Sequence, residues 1–167
     1  LPANKKDYQK LLKKQEGYKL AEVKGKASSA FASNWENKII ELGKNTFGWK
    51  SLKLNFGKKQ VTMTVTETNG KSYELPFGYQ QWITTTFDSY PPYSITPIDR
   101  FKGLEGPYYA SGSYAWISKE ELQLKAHYVN WVSALEITFH LEENGEVKLN
   151  VQTNYIKKPY TITGVIK

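Results

Sequence analysis

The sequence predicts an all-β fold, an antiparallel barrel or sandwich, on three observations. From Tyr108 to Ile166 apolar residues recur at every second position, broken only by turn signals. Asn69-Gly70 and Asn144-Gly145 sit between such runs and mark tight hairpins. The runs number about nine or ten at short spacing, the pattern of antiparallel all-β architectures. A barrel also solves a problem such a meander poses, because closure leaves no exposed strand edge.

The elements follow in chain order. Residues 4–16 predict a helix, with Asn4 as cap, Asp7 at the third position, and Gly17 ending it in the left-handed region. Tyr8, Leu11 and Leu12 share one narrow face. Gly25 to Ser33 is small and polar and reads as a linker, so the domain boundary falls there: 1–33 a linker carrying the short helix, 34–167 the β domain. Strands are expected over 35–43 and 49–56, joined by Lys44 to Gly48, then around Val61–Val65 and Ser72–Phe77. Residues 78–107 are punctuated by Gly78, Pro91, Pro92, Pro97, Gly103, Gly106 and Pro107. They read as a long aromatic loop with short strands near 81–87 and 94–99. Strands Tyr108–Ile117, Glu121–Asn130, Ala134–Glu142, Glu146–Val151 and Tyr160–Ile166 complete the chain. One parity is expected to line the interior: Leu52, Leu54, Phe56, Val61, Met63 and Val65, then Leu122, Leu124, Leu135, Ile137, Phe139, Val147, Leu149 and Val151.

Composition narrows the function. A chain of 167 residues fits one domain with a core that needs no staples. Cysteine is absent, which excludes disulfides, a thiolate nucleophile and Cys-ligated metal. No apolar run is long enough for a membrane-spanning helix. The chain begins at Leu1 rather than Met and shows no signal-peptide pattern, which reads as a piece of a longer protein. The net charge is +7, but residues 1–26 hold eight lysines against Asp7, Glu16 and Glu22, a net of +5. A nucleic-acid footprint is a basic stripe on the folded face, not a basic leader, so no nucleic-acid partner is expected.

Catalytic and metal constellations are missing. The two histidines, His127 and His140, lie on neighbouring predicted strands. A turn centred on Trp131-Val132 sets His127 opposite Glu136 and His140 opposite Gln123, so the histidines do not meet and no metal site is expected. There is no Gly-x-Ser-x-Gly elbow and no Ser-x-x-Lys pair. Tyr128-Val129-Asn130 matches a Tyr-x-Asn triplet of penicillin-recognising enzymes, but without its partners it reads as coincidence. Glu120-Glu121 and Glu142-Glu143 are adjacent pairs at turns, not carboxylates facing across a cleft. No Gly-rich phosphate loop and no cofactor motif is present. What remains is aromatic. Trp82, Phe87, Tyr90, Tyr93, Phe101 and Trp131 are candidates for a partner or ligand surface, while Trp35, Trp49, Trp82 and Trp116 are candidates for plugging the barrel and its ends.

Four stretches carry a family resemblance. Leu1-Pro2-Ala3 through Asp7-Tyr8-Gln9-Lys10-Leu11 resembles the linker and helix that follow the catalytic domain in bacterial beta-lactamase-related serine hydrolases. Asn34-Trp35-Glu36-Asn37-Lys38-Ile39-Ile40-Glu41-Leu42 is similar to the first strand of their carboxy-terminal domain. Asn45-Thr46-Phe47-Gly48-Trp49-Lys50-Ser51-Leu52 resembles its second landmark, and Ser113 to Ser118 with Glu121 to Leu124 its Trp-turn-Leu-x-Leu hairpin. The resemblance implies a lipocalin-like antiparallel β-barrel of about 8–10 strands with an N-terminal linker helix. It implies no catalytic residue, cofactor or metal in this chain. The partner it implies is an upstream serine hydrolase domain of the same polypeptide, with a homo-oligomer as a further arrangement. It implies a periplasmic, extracellular or cell-surface location in a bacterium. The Gly-x-Trp of true lipocalins is missing, since Trp35 follows Ala32-Ser33-Asn34.

The expectation is therefore a non-catalytic accessory domain that packs against or gates a hydrolase. The alternative is a free-standing barrel that binds a lipid, a peptide or a glycan. A cavity of a few hundred cubic ångströms favours the carrier, and a filled interior favours the accessory domain.

Overall fold

The computed structural model describes residues 4–87, 89–91, 106–142 and 144–167. Among them, ten strands form one sheet: β1 (Ile39–Leu42), β2 (Trp49–Phe56), β3 (Gln60–Glu67), β4 (Ser72–Tyr79), β5 (Ile83–Phe87), β6 (Tyr108–Trp116), β7 (Glu121–Tyr128), β8 (Ala134–Leu141), β9 (Glu146–Thr153) and β10 (Tyr160–Ile166). Antiparallel pairing runs from β4 back through β3, β2 and β1 to β10, and on through β9, β8 and β7 to β6. A short parallel pairing, Gly78 with Ser113 and Tyr79 with Tyr114, joins β4 to β6 and closes a ring of nine strands. Strand β5 folds back and pairs with the first half of β6. Closure decides between the expected barrel and sandwich in favour of the barrel, and no ring strand keeps a free edge along its whole length.

The expected interior parity is the buried one. Leu54, Val61, Met63, Val65, Leu122, Leu124, Phe139, Val147, Leu149 and Val151 are fully buried, and Phe56 packs at the margin of the same cluster. The Asn144-Gly145 and Asn69-Gly70 turns form as predicted, each glycine with positive φ (82° and 86°). Two strands differ most in their bounds. The strand expected over 35–43 shrinks to Ile39–Leu42, because a 3-10 helix (Ala30–Asn34) precedes it and Asn37 turns the chain at φ 59°. Strand β9 runs on to Thr153. The strand expected near 94–99 lies outside the described residues.

The β7–β8 hairpin corrects a register. His127 pairs with Ala134 rather than Glu136, and His140 with Glu121 rather than Gln123. The loop is centred one residue earlier than expected, as the bond from Tyr128 N–H to Ser133 O (3.1 Å) shows. That shifts the pairing by two residues, which leaves every side chain on its expected face. The histidines stay apart, and no group of three metal-ligating side chains exists among the described residues.

The leader segment divides in two. Helix α1 (Lys5–Glu16) is capped as expected, with Asn4 Oδ1 accepting from the N–H groups of Lys6 and Asp7 at 3.1 and 3.2 Å. None of its residues is buried. Gly17 does not end it in the left-handed region. Its φ is −79°, and the last turn closes by tightening, with Tyr18 N–H donating to Gln15 O at 3.0 Å. No helix of the described residues is long and apolar enough to cross a membrane.

The segment from Leu20 to Ser29 lies along the barrel. Val23 N–H donates to buried Ser113 Oγ (3.2 Å), and Lys26 and Trp116 exchange both backbone bonds at 2.9 Å. Tyr79 and Tyr114 hydroxyls donate to the carbonyls of Gly25 and Ala27, and Ser29 Oγ to that of Lys119. The stretch that reads as a polar linker thus carries ladder-type bonds, which its small side chains do not advertise. The 3-10 helix that follows, capped by Ser29, drops Trp35 into the end of the barrel at 0% exposure.

Candidate functional site

The two ends of the barrel differ. At one end Trp35, Trp116 and Phe139 meet edge to face and fill the interior. At the other, the β1–β2, β3–β4 and β9–β10 loops and residues 89–91 surround a cavity of about 540 Å³. Its walls are aromatic: Phe47, Trp49, Tyr73, Tyr90, Tyr155 and Tyr160. Among the described lining residues Glu67 is the single acid and Lys71 the single base.

Local sequence builds the aromatic wall. Asn45 organises the β1–β2 loop: its amide N–H donates to Gly43 O (2.9 Å) and Trp49 O (2.7 Å), and its Oδ1 accepts from Phe47 and Trp49 N–H at 3.1 and 3.2 Å. Gly48 supplies the left-handed residue that loop requires, at φ 69°. Phe47 then stacks on Trp49 with centroids 4.8 Å apart, and Tyr160 meets Phe47 edge-on at 5.6 Å.

Below this wall lies a cluster of hydroxyls. The Trp49 indole N–H donates to the Tyr73 hydroxyl, whose pKa burial pushes far above the usual phenol range, with the Glu67 charge adding to it. Glu67 accepts from Ser89 Oγ at 2.8 Å and from the Asn69 amide at 3.0 Å. Tyr128 is buried, and its pKa is raised first by burial and then by the neighbouring Tyr73 and Tyr155. These tyrosines remain neutral phenols at any ordinary pH. Ser133 and Thr153 sit on the same interior face at 3% and 2% exposure, and neither hydroxyl finds a hydrogen-bond partner.

The aromatics singled out from the sequence are dispersed. Tyr90 lines the cavity and lies 5.9 Å from Tyr108, against which Trp131 packs edge-on at 5.5 Å. Trp131 is half-buried against the core and does not itself line the cavity. Phe87 is the last residue of β5, its backbone paired with Tyr108. Tyr93 and Phe101 lie outside the described residues. Trp82 is on the outer wall, where its indole N–H donates to Leu20 O (2.9 Å) and its ring meets His127 at 5.2 Å. Of the four tryptophans read as plugs, Trp35, Trp49 and Trp116 are buried, and Trp82 holds the leader instead.

His127 carries a pH consequence. Burial, and then Lys125, hold its imidazole below the usual range. The folded state therefore binds this proton less readily than the unfolded chain. Its stability contribution is complete above about pH 6.5 and is lost as pH falls through the lowered folded value. Thermal melts are expected to show the Tm falling on acidification below that point, with a shallower fall in His127→Gln.

The sequence matches no protein-family model, and no curated protein matches it significantly. Solved structures do match. A Schistosoma mansoni fatty acid binding protein in complex with arachidonic acid superposes with a TM-score of 0.51 at 10% identity, over 81% of this chain and 96% of that one. The fluorescent protein UnaG gives 0.46 at 9% identity, over 81% and 98%. The likeness is one of fold. It bears out the lipocalin-like barrel, and it overturns the expected kinship with beta-lactamase-related hydrolases. The short motifs behind that resemblance are those that any capped helix, Asn-x-x-Gly turn and Trp-containing hairpin of such a barrel would show. The accessory role beside a hydrolase and the upstream hydrolase partner fall with it.

The residues that build the cavity were missed by sequence reading, apart from Tyr90 and the burial of Trp49. A usable signal exists for the two unpartnered buried hydroxyls, which do not line the cavity. Thr153 continues the interior parity of Val147, Leu149 and Val151, and Ser133 that of Leu135, Ile137 and Phe139, so each is a polar residue at a core position.

Proposed function

We propose that this chain is a binding barrel that takes a small amphipathic, lipid-like molecule at its mouth. The observation that carries the reading is the aromatic-walled cavity of about 540 Å³. Its volume falls inside the range of small-molecule sites, roughly 300–1,000 Å³, and such sites pair apolar walls with a few placed polar groups. The far end of the barrel is packed with Trp35, Trp116 and Phe139, so the ligand sits between the loops rather than deep in the core. Phe47, Trp49 and Tyr160 take its apolar body, and Glu67, Ser89 and the tyrosine hydroxyls face its polar part. The fold neighbour complexed with arachidonic acid is a precedent for an apolar ligand in this architecture.

Titration with Nile red, a neutral apolar dye whose emission rises in dry surroundings, tests the reading. Saturable one-to-one binding is expected. Tyr160→Ser and Phe47→Ser should each weaken it by roughly tenfold, because both rings form the wall. Tyr160 is 38% exposed, so its replacement leaves the core intact. Absence of saturable binding, or binding indifferent to both variants, would overturn the proposal.

A further inference from the structure

We propose that the open end of the barrel docks on an anionic lipid surface, through exposed lysines and apolar side chains of the hairpin loops that ring the cavity. The membrane is then where the cavity meets a lipid-like ligand. The docking face stands on its own observations and is measured with no ligand present.

Topology gathers the loops. The β1–β2, β3–β4, β7–β8 and β9–β10 hairpins all turn at the open end of the ring. Bonds between loops hold the arrangement. Thr68 N–H in the β3–β4 turn donates to Gly48 O in the β1–β2 loop at 2.8 Å. The Asn154 amide in the β9–β10 loop donates to Val132 O in the β7–β8 loop, also at 2.8 Å. Tyr160 against Phe47 joins the β9–β10 side to the β1–β2 loop.

Charge is concentrated there. Lys44, Lys71, Lys157 and Lys158 stand in these loops, and all are exposed. The four loops contain no Asp or Glu; the nearest described acid is Glu67, at the end of β3. None of the four lysines is ion-paired among the described residues. The hairpins of the packed end are mixed instead, with Lys58, Lys59 and Lys119 beside Glu120 and Glu142. Each basic residue held near an anionic surface strengthens binding by about fivefold.

Apolar groups share the same end. Val129 (65% exposed) and Val132 (62%) are the most exposed large apolar side chains of the strands and their loops, among the described residues. They flank Trp131 at the tip of the β7–β8 hairpin. Tyr90, Tyr155 and Tyr160 are exposed around the cavity. Tyrosine and tryptophan settle at the head-group level of a bilayer, where one side of the ring is apolar and the tip is wet. Lysines among them select an anionic surface over a neutral one. They also disfavour a second copy of this chain as the occupant, because its mouth would bring lysines against lysines.

Co-sedimentation of the full chain with vesicles decides the matter. Vesicles of equal parts phosphatidylglycerol and phosphatidylcholine are expected to bind at least about tenfold more tightly than pure phosphatidylcholine, and less tightly as salt is raised. Lys157→Glu with Lys158→Glu should weaken that binding by at least about tenfold. Val129→Ser with Val132→Ser should weaken it about fivefold; both side chains are exposed, so an unchanged Tm is expected. Helix α1 supplies the control, because Lys13→Glu with Lys14→Glu changes the net charge by the same amount away from the mouth. That variant should lose less than about threefold. Equal binding to both vesicles, a mouth variant that binds like wild type, or an α1 variant that loses as much as the lysine pair at the mouth would each overturn the proposal. So would concentration-dependent self-association that the valine variant abolishes, since it would make a second copy the occupant. None of these outcomes touches Nile red binding, so the docking face and the cavity reading fail separately.

Discussion

Trp35→Ala is expected to lower the free energy of unfolding by about 3–5 kcal/mol. The indole has no exposure and sits edge-on against Trp116 (6.3 Å, 82°) and Phe139 (5.7 Å, 66°). Its loss removes the largest wedge from the filled end and breaks two aromatic pairs, each worth about 0.5–1.5 kcal/mol beyond burial. The surrounding strands are tied into a ring and cannot collapse into the space. Trp35→Phe should lose much less, since it keeps a ring and discards an indole N–H that has no hydrogen-bond partner. Denaturant titration with an unchanged slope would read both values. A loss below about 1 kcal/mol for the alanine variant would mean that the end is not closed by this side chain.

Gly112→Ala is the second large effect, expected at about 3 kcal/mol. A methyl group there would lie 2.3 Å from Pro76 O and 2.8 Å from the Phe77 ring. Gly112 adjoins the seam where Gly78 and Tyr79 pair with Ser113 and Tyr114. The obstacle is a backbone carbonyl in a strand, which cannot move without opening that seam. Amide exchange should become faster at Gly78, Tyr79 and Tyr114 while β8 and β9 keep their protection. A variant with wild-type Tm and exchange would show that closure tolerates a side chain here.

Both predictions concern contacts between residues far apart in sequence, and this is where sequence reading stops. The strand faces were legible: Val61, Met63 and Val65 alternate with threonines, and the structure buries the first set. The β7–β8 hairpin shows the limit of that signal. Alternation reports a face but not a partner, so His127 could slide from Glu136 to Ala134 with no residue changing sides. The leader shows another limit. Lys26 and Trp116 bond through their backbones, and backbone bonds leave no mark in residue type. The cavity was least legible of all. Phe47 comes from the β1–β2 loop, Tyr73 from β4, Tyr155 from the β9–β10 loop and Tyr160 from the start of β10, and they meet only once the ring is shut.

Taken alone, the chain determines its strands, its hairpins and which side of each strand avoids water, because a period of two is written in adjacent residues. Tertiary structure alone decides that β4 meets β6, and that one end is packed with indoles and the other left open. Those outcomes depend on which distant edges join when the sheet curls, and no local pattern encodes the stagger at which a sheet closes on itself.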